Sequence, residues 1–171
     1  PSAVTVSAPT APATLAPTGP STSVAVAVAP NLATQRQAAA ADAMAQAQAL
    51  WNAGSRNAAL DLMHEAVEVA ERGVGTGGTV VLVPLVRELA RMELAQGQAG
   101  RVLEMLTRLE PAMGGQADLW AVRGNAAQRL GRHQESANAY LQALRLRPDE
   151  PRWMLGAAVS LAAQGQVATA A

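Results

Sequence analysis

The side chains in this sequence that could do chemistry are few, and their spacing decides what each can support. His64 and Glu65 open as a zinc-protease helix does, but Glu68 stands four residues on, where a second imidazole is needed. A single imidazole does not close a zinc site. The simpler reading is an exposed helix face on which His64 meets Glu68 across one turn, with Glu65, Glu68 and Glu71 as a solvated acidic cluster. His133 has Ser136 three residues later, yet no carboxylate is placed to orient it as a general base. It reads as a surface turn residue. Gly73, Gly75 and Gly78 have the glycine spacing of a dinucleotide-binding loop, but that loop must follow a strand and open a helix. Here the glycines follow a helical pattern and lead into Val80 to Val83, so they read as a connection, with Pro84 in the first turn of the next helix. The absence of cysteine removes thiolate metal ligands, Cys nucleophiles and disulfides together. No catalytic residue, metal or cofactor is expected.

The composition narrows the field further. Thirteen Lys+Arg against thirteen Asp+Glu leave no net charge, so the chain lacks the electrostatic footprint of a nucleic-acid binder. Its 171 residues suffice for one domain with a tail. Half of them are hydrophobic but only 2% are aromatic, with no Phe, which favours helices packed through small side chains. Residues 1–33 hold most of the Pro among Ala, Ser, Thr and Val, and they carry no charge and no aromatic. That density forbids a helix and offers a core nothing to bury, so a flexible extended linker is expected. Val24 to Ala29, which alternates Val and Ala, could serve as a strand only if a partner offered an edge. This run is also far too short to span a bilayer.

Residues 34–171 read as helical throughout. Apolar residues recur at helical spacing, as in Leu60, Met63, Val67 and Ala70, or Leu103, Leu106 and Leu109. Gly97, Gly131 and Gly165 stand thirty-four residues apart between helical patterns, each suited to a tight turn at positive φ. Seven residues before each lies Ala90, Gly124 or Ala158, a small residue where two helices can cross. Gly54, with Ala47 before it, joins the series after a nine-residue insertion visible at residues 72–78. The aromatics Trp51, Trp120, Trp153 and Tyr140 read as core and inter-repeat packing rather than as a ligand cage.

A thirty-four-residue helix-turn-helix period resembles the tetratricopeptide repeat. Trp120, Gly124, Gly131, Tyr140, Ala143 and Pro148 stand at the family's motif spacings, with Ser136 in place of the usual Ala and Arg123 in place of Leu. The resemblance implies an all-α solenoid of about three and a half helix-turn-helix units, non-enzymatic, acting as a protein-protein interaction scaffold. The run Leu119 to Gln166 also resembles the C-terminal repeats of the MSHA-type pilus biogenesis family of Gram-negative bacteria. That likeness implies an accessory role in type IV pilus biogenesis, with pilus assembly components as partners. It also implies a periplasmic location, tethered to the inner membrane by a segment upstream of Pro1, with the cytoplasm as the alternative. A scaffold of another secretion or exopolysaccharide export system, or a regulatory fragment of a larger enzyme, are the competing readings.

Stacked helix pairs leave a concave surface lined by the first helix of each pair. The period brings Gln48, Arg91, Asn125 and Val159 into one row, and Asn52, Ala95, Arg129 and Ala163 into the next, with Arg87 one turn away. The expected partner site is therefore Gln48, Asn52, Arg87, Arg91, Asn125 and Arg129, a polar and mildly basic centre with an apolar C-terminal end. It suits a peptide carrying acidic and apolar groups. The helix from Trp153 to Ala163 has no partner helix of its own, so fraying or self-association is expected at that end.

Overall fold

A computed structural model of the chain describes residue 3, residues 31–74 and residues 78–170. Apart from Ala3 and residues 31–33, the expected linker lies outside the described residues, as do Val24 to Ala29 and Gly75. The described residues form eight helices and no strand: α1 (Leu32–Asn52), α2 (Arg56–Arg72), α3 (Thr79–Ala95), α4 (Ala99–Arg108), α5 (Glu110–Met113), α6 (Ala117–Arg129), α7 (His133–Leu146) and α8 (Pro151–Ala170). Helices α1 and α2, α3 and α4, and α6 and α7 pack as pairs. Each second helix then packs on the first helix of the next pair, α2 on α3, α4 on α6 and α7 on α8. The first helices also touch in sequence, α1 with α3, α3 with α6 and α6 with α8, which gives one continuous row.

Three turns of one design make the pairs. Gly54, Gly97 and Gly131 have φ of 88°, 75° and 72°, the left-handed conformation that glycine adopts without a Cβ penalty. In each turn the glycine N–H donates three residues back, to Trp51, Leu94 or Gln128, at 3.1 Å. The next residue's N–H donates five back, Ser55 to Leu50, Gln98 to Glu93 and Arg132 to Ala127, at 2.8 to 2.9 Å. These paired bonds satisfy carbonyls that a helix end leaves open and reverse the chain in two residues.

Gly165 departs from the series. It lies inside α8, and the Thr169 hydroxyl donates to its carbonyl one turn back, as in an uninterrupted helix. No second helix packs back on α8 among the described residues, so the helix preference of an Ala-rich run carries through the glycine. Pro84 also departs from expectation. Gly78 O accepts from Val81 and Leu82 N–H, so α3 begins a turn earlier and Pro84 stands inside it, leaving the Val80 carbonyl without its usual donor. Gly78 itself has no room for a side chain, because a Cβ there would lie 2.4 Å from the Gly73 carbonyl oxygen.

Two cores fill the array. The larger gathers Met63, Leu82, Leu85, Leu89, Met92 and Val102 from the first two pairs. The smaller, in the third pair and α8, is Ala121, Tyr140, Ala143 and Ala157, flanked by Trp120, Leu144 and Trp153. Tyr140 lies between two glycines, since a Cβ at Gly124 would meet its ring at 2.8 Å and one at Gly156 at 2.5 Å. Ser136 is buried beside it. Its hydroxyl donates to the Gly124 carbonyl at 2.8 Å and lies 2.7 Å from the buried Ser160 hydroxyl, which therefore acts as donor to it. The serine in place of the motif's alanine thus ties α6, α7 and α8 together.

Candidate functional site

The row of first helices carries the residues expected to meet a partner, and the structure supplies Gln48, Arg87, Arg91, Asn125 and Arg129 with bonded neighbours. Arg91 on α3 grips Glu88 one turn away with two bonds, Nε to Oε2 at 3.0 Å and Nη2 to Oε1 at 2.6 Å. The same guanidinium sits 5.8 Å from the Trp51 ring of α1, and Arg56 covers that ring at 5.1 Å. The Arg91 hydrogen bonds hold the Glu88 carboxyl below the usual range against the opposing effect of burial, and Gln48 adds a further bond. The row therefore joins α1 and α3 through Gln48, Trp51, Glu88 and Arg91. Asn52 lies exposed at the end of α1.

On α6, Arg129 is held by two neutral acceptors. Its Nε donates to Asn125 Oδ1 one turn back, and its Nη1 donates to the Leu94 carbonyl at the end of α3, both at 2.9 Å. Arg87 pairs with Asp118 at the start of α6. Burial pushes Asp118 up, but the Arg87 bond and charge and the backbone N–H groups there outweigh it and hold the carboxyl low. The basic centre expected from the repeat period is thus altered. Arg87 and Arg91 face carboxylates, and Arg129 is the guanidinium of the row bonded to neutral oxygens. Val159 and Ala163 on α8 continue the row as apolar positions.

The sequence places Glu88 and Glu93 near enough to the arginines for surface pairs, and Glu88 makes one with Arg91, whereas Glu93 is buried at 1% exposure; Trp51 and Asp118 beside the arginines were not indicated. The signals for the two carboxylate pairs are the one-turn spacing of Glu88 and Arg91 and the thirty-one-residue span from Arg87 to Asp118, which the repeat period places on neighbouring helices. The tryptophans all pack against the cores, yet each has a guanidinium on its open side, Arg123 over Trp120 at 4.9 Å and Arg147 over Trp153 at 5.3 Å.

The second helices form a different face. His64 of α2 does not turn to Glu68. Its Nε2 lies 2.8 Å from Oε1 of Glu93, a carboxylate on α3 that is 1% exposed. Neither Glu93 oxygen receives an aligned hydrogen bond among the described residues. Burial pushes the Glu93 carboxyl up, and the neighbouring charges of His64 and Arg101 pull against that. Glu71 also leaves the expected solvated cluster and pairs with Arg108 of α4. Around these groups lies an open cleft of about 560 Å³ between α2 and α4. His133 is the first residue of α7 rather than a turn residue, half-buried, with Nδ1 enclosed and unbonded among the described residues. It lines a second cleft, of about 780 Å³, with Glu110, Trp120, Arg123 and Arg145. Among the described residues no three His, Asp or Glu side chains gather as a metal site, and no helix is long and apolar enough to cross a membrane.

No curated protein matches the chain. Residues 117–150, which hold α6, α7 and the turn at Gly131, match the family model of the tetratricopeptide repeat, a module that mediates contacts between proteins. The match falls on the pair that contains Trp120, Gly124, Ser136 and Tyr140, and the pairs before it repeat the same turn and stacking, so the fold is that of an all-α tetratricopeptide-repeat array.

Proposed function

We propose that the face formed by α1, α3, α6 and α8 is a docking surface for an extended protein segment carrying acidic and apolar groups. The observation that carries this reading is the way Arg91 and Arg129 are held. Arg91 is clamped between Glu88 and Trp51, and Arg129 between Asn125 and the Leu94 carbonyl, so both are fixed before any partner arrives. Donors already ordered lose less freedom on binding, and a guanidinium bonded to neutral oxygens keeps its charge for an incoming carboxylate. Val159 and Ala163 give the apolar end of the segment a place to rest.

The scaffold works, on this reading, as an accessory in MSHA-type pilus biogenesis on the periplasmic side of the inner membrane. That part rests on the sequence resemblance over Leu119 to Gln166 and on the order of a Pro-rich segment followed by repeats. Affinity capture from the native host, followed by charge reversal, tests both. Recovery of pilus assembly components supports the pilus role, and their absence from the captured set removes it. Arg91→Glu with Arg129→Glu should weaken capture by about 2 kcal/mol or more while helicity is kept. Arg108→Glu with Arg145→Glu, the same change of charge on the second-helix face, should leave capture intact. Equal loss from both double variants would move the docking surface off the α1, α3, α6 and α8 face.

A further inference from the structure

Between α1, α2 and α3, apart from the row discussed above, the helices leave a cavity of about 270 Å³. Its wall is largely aliphatic, with Ala40 and Ala43 from α1, Leu62 and Ala66 from α2, and Val81 and Leu85 from α3. Arg36 and Glu65 are the charged residues along it. The Arg36 guanidinium lies against Gly73 at the end of α2, where its Nη1 would stand 3.4 Å from a Cβ. Val69, on the same wall, is 56% exposed, so the cavity opens to solvent on the α2 side. Helix interiors pack to the density of organic crystals, and a void of this size needs a cause.

The internal repeat supplies the cause. Gly54 and Gly131 stand seventy-seven residues apart, and at that offset Ala43 takes the place that Trp120 has in the third pair. Leu85 of α3 takes the place of Trp153 of α8, two periods further on. Both indoles flank the smaller core, and each has a guanidinium over its ring. In the second pair the place of Trp120 falls to Val86, which is fully buried. In the first pair a methyl group stands where the third has an indole, and the helices have not closed over the difference. The cavity is thus the seat of a ring that the first pair does not supply, with a guanidinium kept beside it.

From this we infer that the cavity binds a small planar aromatic carboxylate of indole size, with the ring among the alanines and the acid toward Arg36. Volume sets the ring. An apolar cavity of about 150 Å³ admits benzene, so one of about 270 Å³ has room for a fused bicycle. Walls of alanine, valine and leucine offer water no hydrogen-bond partners and favour an apolar face in its place. Charge sets the acid. A guanidinium at one end of an aliphatic space matches a carboxylate in a planar fork, and it can also lie over a ring, as Arg123 and Arg147 do in the third pair. Glu65 on the α2 wall offers an acceptor to a ring N–H and disfavours a second acid group.

Heteronuclear NMR on the 171-residue chain, with indole, indole-3-acetate and octanoate as probes, reads the site directly. Indole-3-acetate should give saturable shifts of the Ala66 and Leu85 methyl signals. It should bind about tenfold more tightly than indole, which lacks the acid, and than octanoate, which lacks the ring. Arg36→Gln should remove the advantage over indole while indole itself stays bound. Ala43→Trp, which restores the residue of the third pair, should abolish the shifts and hold the thermal midpoint at or above that of the parent. Ala43→Leu, a smaller filling, should weaken binding in the same direction. Methyl signals that stay in place with every probe at millimolar concentration overturn the inference, as does equal binding of all three. Shifts that survive in Ala43→Trp and Ala43→Leu would place the ligand outside this cavity and overturn it too.

Discussion

The first two helix pairs and the third follow the same path around different interiors. In α1 to α4 the space between helices is filled by flexible aliphatic side chains, Met63, Leu82, Leu85, Leu89 and Met92, and one carboxylate, Glu93, is enclosed with them. In α6 to α8 the filling is one rigid ring, Tyr140, with glycine or alanine wherever a helix passes it and a buried pair of hydroxyls at its side. The difference teaches where the family signal comes from. The family model matches residues 117–150, where small residues surround an aromatic, while the earlier pairs reach the same stacking around larger aliphatic side chains. An aliphatic core tolerates exchange among similar volumes, whereas a ring between two glycines does not.

The largest effect is expected at the ring. Tyr140→Ala removes the body of the smaller core and should cost about 3 to 5 kcal/mol in denaturant unfolding, as loss of a buried aromatic does. A cost near that of an exposed position would show that α6, α7 and α8 are held by something else. Next comes Gly124→Ala, whose Cβ would lie 2.8 Å from the Tyr140 ring. Overpacking there should cost about 1 to 3 kcal/mol, although the corresponding position in the second pair, Ala90, already carries a fully buried Cβ. A neutral Gly124→Ala would erase the contrast between the two interiors.

The turns and the helical stripes were legible in the sequence because both are local. Gly54, Gly97 and Gly131 reverse the chain through bonds that reach only three to five residues back, and Leu60, Met63, Val67 and Ala70 report one helix face by their spacing alone. Gly165 shows the limit, since the same glycine in the same register stays helical inside α8. Pro84 shows another, for its favoured place in a first turn lost to the bonds that Val81 and Leu82 make to Gly78. At the candidate site the arginines were legible from the repeat period and Glu88 from its closeness in sequence, but the partners on other helices were not. Asp118 lies thirty-one residues from Arg87, and Glu93 reaches His64 from a different helix, so both pairings depend on tertiary packing.

The buried carboxylate of the first interior gives a contrast in pH. Burial raises the Glu93 pKa in the folded chain above its unfolded value, so its contribution to stability is full below the unfolded value and is lost as pH rises through the folded one. Glu93→Gln abolishes that loss. Its melting temperature relative to the parent should climb from about pH 4 toward neutrality, and a constant difference would mean that Glu93 is not strained by burial. His64→Ala, which leaves the carboxylate without its imidazole, should cost about 1 to 3 kcal/mol at neutral pH.

The smallest effect is expected at the hydroxyl pair of the second interior. Ser136→Ala restores the motif's usual residue yet strands the Ser160 hydroxyl, a loss of about 1 kcal/mol, whereas Ser136→Ala with Ser160→Ala removes both partners and should be nearly neutral. A double variant that loses as much as the sum of the two single ones would show that the serines do not act as a pair.

The docking face is tested most directly by the three indole N–H resonances, followed by NMR as the captured partner is added. Trp51 lies on the α1, α3, α6 and α8 face under Arg91, while the Trp120 N–H is bound to the Gly114 carbonyl at 2.8 Å beside the outer cleft. The Trp51 signal should shift together with the Arg91 Nε–H signal, and the Trp120 signal should stay in place. A partner that binds and shifts Trp120 while Trp51 remains unmoved would contradict the assignment of the docking surface to the first helices.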